Sequence, residues 1–144
     1  MTAKRSVYTA CALVLMSCSS STTEPDGWRV LPGVVDPSLS SVQAVVAPAQ
    51  VSAGSQFEVT VYSLGSSTCA RPVGTQVEKR ETVVRITPLV RYAPPGSSCT
   101  RDLRASPHVV MLRLDRIGEA TLRIEARDFA GAAVEFDVPV RVVD

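Results

Sequence analysis

The sequence predicts an all-β fold, a two-sheet antiparallel sandwich. Three observations carry that expectation. Apolar and polar residues alternate with a period of two over several stretches, which puts one face of a strand in a core and the other in water. β-Branched residues crowd those stretches, as pleated, half-buried surfaces favour. Gly, Pro, Ser and Asp punctuate the gaps, as turns between short strands require. No stretch sustains a helical period with caps, so little or no helix is expected.

The elements follow in chain order. Strands are expected at 29–35 and 42–47. Over 56–63, Phe57, Val59 and Val61 alternate with Glu58, Thr60 and Tyr62. Two further strands are expected at 75–79 and 82–87. Over 107–114, Val110, Leu112 and Leu114 make an apolar face. Over 119–127, Ala120, Leu122, Ile124 and Ala126 alternate with Thr121, Arg123 and Glu125. Over 133–142, Val134, Phe136, Val138, Val140 and Val142 alternate with Glu135, Asp137 and Arg141. Pro139 has no amide donor, so this last strand should lie at an edge there. Turns are expected at Ala53-Gly54-Ser55, Leu64–Ser67, Pro72-Val73-Gly74, Pro94-Pro95-Gly96, Asp115–Gly118 and Asp128–Gly131. A transmembrane barrel is excluded, because it needs about eight strands of about ten residues and aromatic girdles.

Length and composition bound the function. The chain has 144 residues, 45% hydrophobic, 20% charged and 5% aromatic, which suits one domain plus an export segment. A formal charge of +1 points away from nucleic-acid partners. Lys4 and Arg5 precede an apolar run from Val7 to Met16. Cations followed by a short apolar run match a secretory signal. The run falls well short of the roughly 20 residues of a spanning helix.

The run ends in Leu15-Met16-Ser17-Cys18, followed by Ser19-Ser20-Ser21-Thr22-Thr23. With its lipobox, this N-terminus resembles a bacterial lipoprotein precursor. The resemblance implies lipid attachment at Cys18, cleavage before it and acylation of the new amino group. It implies an exported protein anchored in the membrane through lipid on Cys18. Ser19 implies the outer membrane, if the cell has two. The alternative is an ordinary signal peptide, with Cys18 free. The expected organisation is a signal peptide at 1–17, a lipidated Ser/Thr-rich tether at 18–27 and a domain at 28–144.

The cysteines sort under this reading. Cys11 leaves with the signal and Cys18 carries lipid. Cys69 and Cys99 remain, an even pair in an oxidising compartment, so a disulfide is expected. Each lies in a predicted loop, so the bridge should staple loops at one end of the domain.

The stretch from Ala47 through Ala53-Gly54 to Val61 is similar to the opening of bacterial immunoglobulin-like domains. Gly118–Ala126 looks like their penultimate strand. The resemblance implies an immunoglobulin-like sandwich of about seven or eight strands, without a cysteine bridge between its central strands. Gly33–Pro37, Gly65–Cys69 and Pro94–Leu103 also resemble a family of uncharacterised bacterial lipoproteins, which brings no activity with it.

Chemistry is sparse. His108 is the sole histidine. It follows Ser106-Pro107 and reads as a surface residue at a strand start rather than as a base, with no Gly-x-Ser-x-Gly elbow. Zinc would need about four Cys or His ligands. There is no calcium loop and no phosphate-binding loop. No catalytic residue, metal or cofactor is therefore expected. An enzyme would need a carboxylate pair assembled by the fold.

Binding fits better. Residues 70–104 hold seven cations against three acids. Arg71, Arg101 and Arg104 are candidate anion-binding residues, since the planar guanidinium suits carboxylate or phosphate. The alternative is a solvated surface whose arginines pair locally. Trp28 should pack the incoming strand. Tyr62 and Tyr92 are candidate exposed aromatics. The expected function is a non-catalytic binding or structural module of the envelope, with an envelope protein or an anionic envelope polymer as partner. Alternatives are an inhibitor or accessory domain docking onto a secreted enzyme through the stapled loops, and an enzyme with an unrecognised carboxylate site.

Overall fold

The structure is a computed structural model that describes residues 26–144. The expected signal peptide, Cys11, Cys18 and most of the tether lie outside the described residues. Nine strands form, with no helix among the described residues. They are β1 (Arg29–Pro32), β2 (Val45–Val46), β3 (Gln50–Ser52), β4 (Gln56–Gly65), β5 (Ala70–Arg80), β6 (Val83–Tyr92), β7 (Arg104–Arg113), β8 (Gly118–Arg127) and β9 (Ala133–Val143).

Two sheets share the strands unequally. The wide sheet runs β1-β6-β8-β9-β3, with β5 also paired to β6, and the narrow sheet runs β2-β4-β7. Their inner faces make the core. Phe57, Val59 and Val61 of β4 and Val110 and Leu112 of β7 face Val84 and Ile86 of β6, Leu122 and Ile124 of β8, and Val140 and Val142 of β9. Full burial of such a side chain stabilises by roughly 1.5–3 kcal/mol. The alternating residues expected to face inward do so.

Several expectations need correction. The strand expected at 42–47 shortens to Val45–Val46. β3 was not expected. Its three residues run parallel to the end of β9, Gln50 opposite Arg141 and Ser52 opposite Val143. Val83–Ile86 of β6 also runs parallel to Thr121–Ile124 of β8. The chain passes through β7 of the other sheet between them, so it returns in the same direction. Pro72-Val73-Gly74 is not a turn. It is an irregularity inside β5, where Pro72 pairs with Val90 and Gly74 with Leu89, so one residue of β5 stands unopposed. The hairpin turn falls at Glu81, between the strands expected at 75–79 and 82–87; it is the one non-glycine with positive φ, 50°, among the described residues. Pro139 behaves as expected. It lies outside the short pairing of β9 with β3, on the side to which Arg141 N donates towards Ala49 O.

One short segment crosses between the sheets. β1 pairs with β6. Gly33 N then donates to Pro88 O at 2.8 Å, while its carbonyl accepts from Arg127 N. One residue later, Val34 O accepts from Leu64 N of the narrow sheet at 2.7 Å. Val34 N donates to the Tyr92 hydroxyl at 3.1 Å, and the Arg127 guanidinium stands 4.8 Å from the Tyr92 ring centroid. A Cβ at Gly33 would lie 2.8 Å from the Ser63 Cβ and 3.1 Å from Val90. Only a glycine lets the chain pass there. Gly33→Ala should therefore lower stability by about 1–3 kcal/mol through overpacking, as read from the midpoint and slope of urea unfolding. An unchanged midpoint would show that the crossing has room.

Candidate functional site

The expected loop staple is present. Cys69 and Cys99 are bridged, with Cα atoms 5.5 Å apart. Hydroxyls reinforce the bridge. Thr100 N donates to Thr68 Oγ1 at 3.0 Å, and Ser66 and Thr100 hydroxyls meet at 2.8 Å. The Asp102 carboxylate accepts from Ser67 N at 3.2 Å and from the Thr100 hydroxyl. Those bonds favour its ionised form and hold its pKa at about 2.

The three candidate arginines separate. Arg71 and Arg104 line one depression with Ser66, Ser67, Pro72, Ser106 and Pro107. No acid lines it. Arg101 is exposed on the neighbouring loop and does not line it. Neither Arg101 nor Arg104 makes an ion pair among the described residues. Arg71 has a role that the sequence did not reveal. Its guanidinium carbon lies 5.0 Å from the centroid of Trp28, and that of Arg91 lies at the same distance. Arg91 also donates to the Asp26 carboxylate at 2.8 Å. Asp26, assigned to the tether, thus already contacts the domain. Trp28 fastens the incoming strand, as expected, through cations rather than core packing. Other cations of the middle segment pair locally, Arg80 with Glu78 and Arg85 with Glu125.

The expectation for His108 is corrected. It is no surface residue at a strand start. It sits in the middle of β7 at 4% exposure, because β7 begins at Arg104. Nδ1 is 2.9 Å from Gly74 O, and Nε2 is 2.8 Å from Ser63 Oγ. A carbonyl only accepts, so Nδ1 carries the proton and Nε2 accepts from the serine hydroxyl. The sense of those bonds is that of a serine–histidine dyad. Ser63 is only 3% exposed, however, so no substrate reaches its oxygen. The pair instead links β4, β7 and β5. Tyr62 and Tyr92 are likewise half-buried rather than exposed, and the Tyr92 hydroxyl is used by the crossing segment.

Carboxylates meet at one place. Glu125 and Glu135 are directly paired across β8 and β9 and line a depression on the outer face of the wide sheet. Each is held by an arginine, Glu125 by Arg85 at 2.5 Å and Glu135 by Arg123 at 3.2 Å. Arg123 also takes Asp137 in two bonds, which lowers the Asp137 pKa. Among the described residues, no three His, Cys, Asp or Glu side chains gather as metal ligands. No family model, curated protein or solved structure matches this chain.

Two outcomes are expected. Burial pushes the His108 pKa below its ordinary 6.5, against a smaller opposing effect of the Gly74 carbonyl. The unfolded chain then binds a proton more readily than the folded one. Stability is complete above pH 6.5 and falls as pH drops below it, down to the folded-state pKa. His108→Gln should flatten urea midpoints across this window; an equally steep profile in the variant would assign the dependence elsewhere. Removing the bridge with Cys69→Ala and Cys99→Ala should cost about 3.5 kcal/mol from the lost constraint on the unfolded chain, as thermal unfolding reads. A loss below about 1 kcal/mol would show that the loop hydroxyls alone hold that end.

Proposed function

We propose that this chain is an exported cell-envelope protein, anchored by lipid on Cys18, whose immunoglobulin-like sandwich is a non-catalytic binding module. The sorting of the cysteines carries the reading. Cys69 and Cys99 are bridged, which suits an oxidising compartment. Cys18 stands directly after the apolar run and before the Ser/Thr stretch. Three acyl chains exceed the two signals that stable anchoring needs.

The binding part rests on the stapled end. Arg71 and Arg104 share a depression that no acid lines, so it attracts carboxylate or phosphate. An acidic face of an envelope protein, or an anionic envelope polymer, fits there. Docking of the same end onto a secreted enzyme is a narrower version of this reading. The paired carboxylates Glu125 and Glu135, both neutralised by arginine, give catalysis no comparable support.

Metabolic labelling of a bacterium expressing the full chain with radioactive palmitate is the test. The wild-type protein should carry label and sediment with membranes, while Cys18→Ala should be unlabelled. An unlabelled wild type would overturn the lipid anchor. A photo-crosslinker placed at Ser67 should capture protein or polymer in intact cells, and the Arg71→Glu, Arg104→Glu double variant should weaken capture. Equal capture by that variant would overturn the anion reading.

A further inference from the structure

The two sheets differ in width, and the difference falls at one edge. β5 belongs to the wide sheet and pairs only with β6. Its Thr75 and Val77 share a face with Pro88 and Ile86, both buried. They therefore point towards the inner side of the sandwich. Yet Val77 is 38% exposed, because the narrow sheet stops at β7 and does not extend over it.

β7 pairs only with β4, so its other edge is free among the described residues. Register shows which groups stand there. Tyr62 N donates to Ala44 O, away from β7. The odd residues of β4, Val59 and Val61, therefore bond Val110 and His108. The N–H and C=O groups of Val109 and Met111 alternate with these and point to the free edge. Arg113 agrees, since its carbonyl takes the Lys79 ammonium from the β5 side. The side chains of Val109 and Met111, on the outer face, are 56% and 57% exposed.

The space beside this edge is a trough. Its middle is lined by Pro72, Gly74, Thr75, Val77 and the stretch from Pro107 to Met111. No Asp, Glu, Lys or Arg lines it there. Through Pro72 and Pro107 it continues into the depression lined by Arg71 and Arg104. The trough thus offers an open backbone edge and an uncharged middle, with Arg104 and no acid among the residues lining one end.

We propose that the free edge of β7 accepts an extended segment of a partner protein, with apolar residues at alternate positions and a carboxylate against Arg104. The segment supplies the fourth strand that the narrow sheet lacks. Its main chain bonds Val109 and Met111, and its inward side chains cover Val77 and Thr75. The carboxylate meets the guanidinium of Arg104, whose planar fork suits it. The proposal rests on the binding-module reading and names its site and partner chemistry; it is independent of the lipid anchor.

The probe is a fluorescent peptide of alternating valine and threonine ending in two glutamates, titrated onto the domain with its disulfide intact. Anisotropy should rise with saturation, and the Val109 and Met111 amides should become protected from hydrogen exchange. A version ending in two lysines should bind about tenfold more weakly, as should the acidic peptide to Arg104→Glu. Val109→Pro removes one edge donor, and Val109→Lys places a charge on the edge while keeping it; both should weaken binding more than tenfold. Circular dichroism checks that each variant stays folded. No binding up to about 1 mM peptide, or protection at β9 instead of β7, would overturn the proposal. Protection of Val109 and Met111 without peptide, together with a dimer by light scattering, would overturn it in favour of a second copy. Amidating the peptide's C-terminus, with the glutamates kept, tells a terminal carboxylate from an acidic side chain. Failure of the peptide with palmitate labelling intact would remove this site and leave the anchor standing.

Discussion

A sheet buries a face only where another layer lies over it, and here a six-stranded sheet is covered by a three-stranded one. That mismatch governs the molecule. Where the layers overlap, β4 and β7 close over β6, β8 and β9, and Ile86, Leu122 and Ile124 are wholly buried. Where they do not, on β5, residues of the inner face meet water. An edge strand with exposed valines is usually a hazard, which proteins limit with charge, proline or irregular pairing. β5 has all three, in Lys79, Pro72 and the unopposed residue beside Gly74. β7 has only Pro107 within its middle stretch, with Arg104 and Arg113 at its ends.

Two of the joints between the layers need unusual residues. At one, Gly33 lets the chain slip between Ser63 and Val90 and bond to both sheets. At the other, a buried imidazole reaches from β7 to the backbone of β5 and the hydroxyl of Ser63. Ser63 takes part in both, packing under Gly33 and donating to His108. A buried polar pair costs desolvation and holds only when each group is satisfied. Both ring nitrogens are satisfied here, so the pair fixes the spacing of the two sheets at the edge where cover is missing.

Much of the sandwich is legible in the sequence, because alternation states which residues face inward. It says nothing about neighbours. The parallel pairing of β6 with β8 depends on the path of the chain through β7, which no local pattern encodes. β3 is too short to show alternation at all. Pro72-Val73-Gly74 reads as a turn because the same residues serve turns and bulges. His108 looks terminal because Ser106-Pro107 precedes it, yet Pro107 stands on an edge where no amide is needed. The pairing of Cys69 with Cys99 is legible only on the reading that assigns Cys11 and Cys18 to an export segment, which leaves one even pair. The contact of Arg71 with Trp28 is not, since it joins residues far apart in the chain through a cation and a ring. Arg101 and Arg104 lie close in sequence, but only Arg104, the first residue of β7, has a fixed position beside Arg71.

The fastening of Trp28 has a mechanical consequence. Tension applied to the chain before Asp26 does not reach the core directly. Among the described residues it first meets the Asp26–Arg91 ion pair and the two guanidinium groups near the indole. Next come the bonds of β1 to β6, which open one at a time when an antiparallel edge strand is peeled from its end. Beyond Gly33 the resistance changes in kind. Val34 and Val35 are bonded to Leu64 and Arg127 on both layers, so further extension must drag the sheets against each other. The segment from Asp26 to Pro32 can therefore act as a compliant spring that yields and re-forms, while the sandwich behind it stays closed.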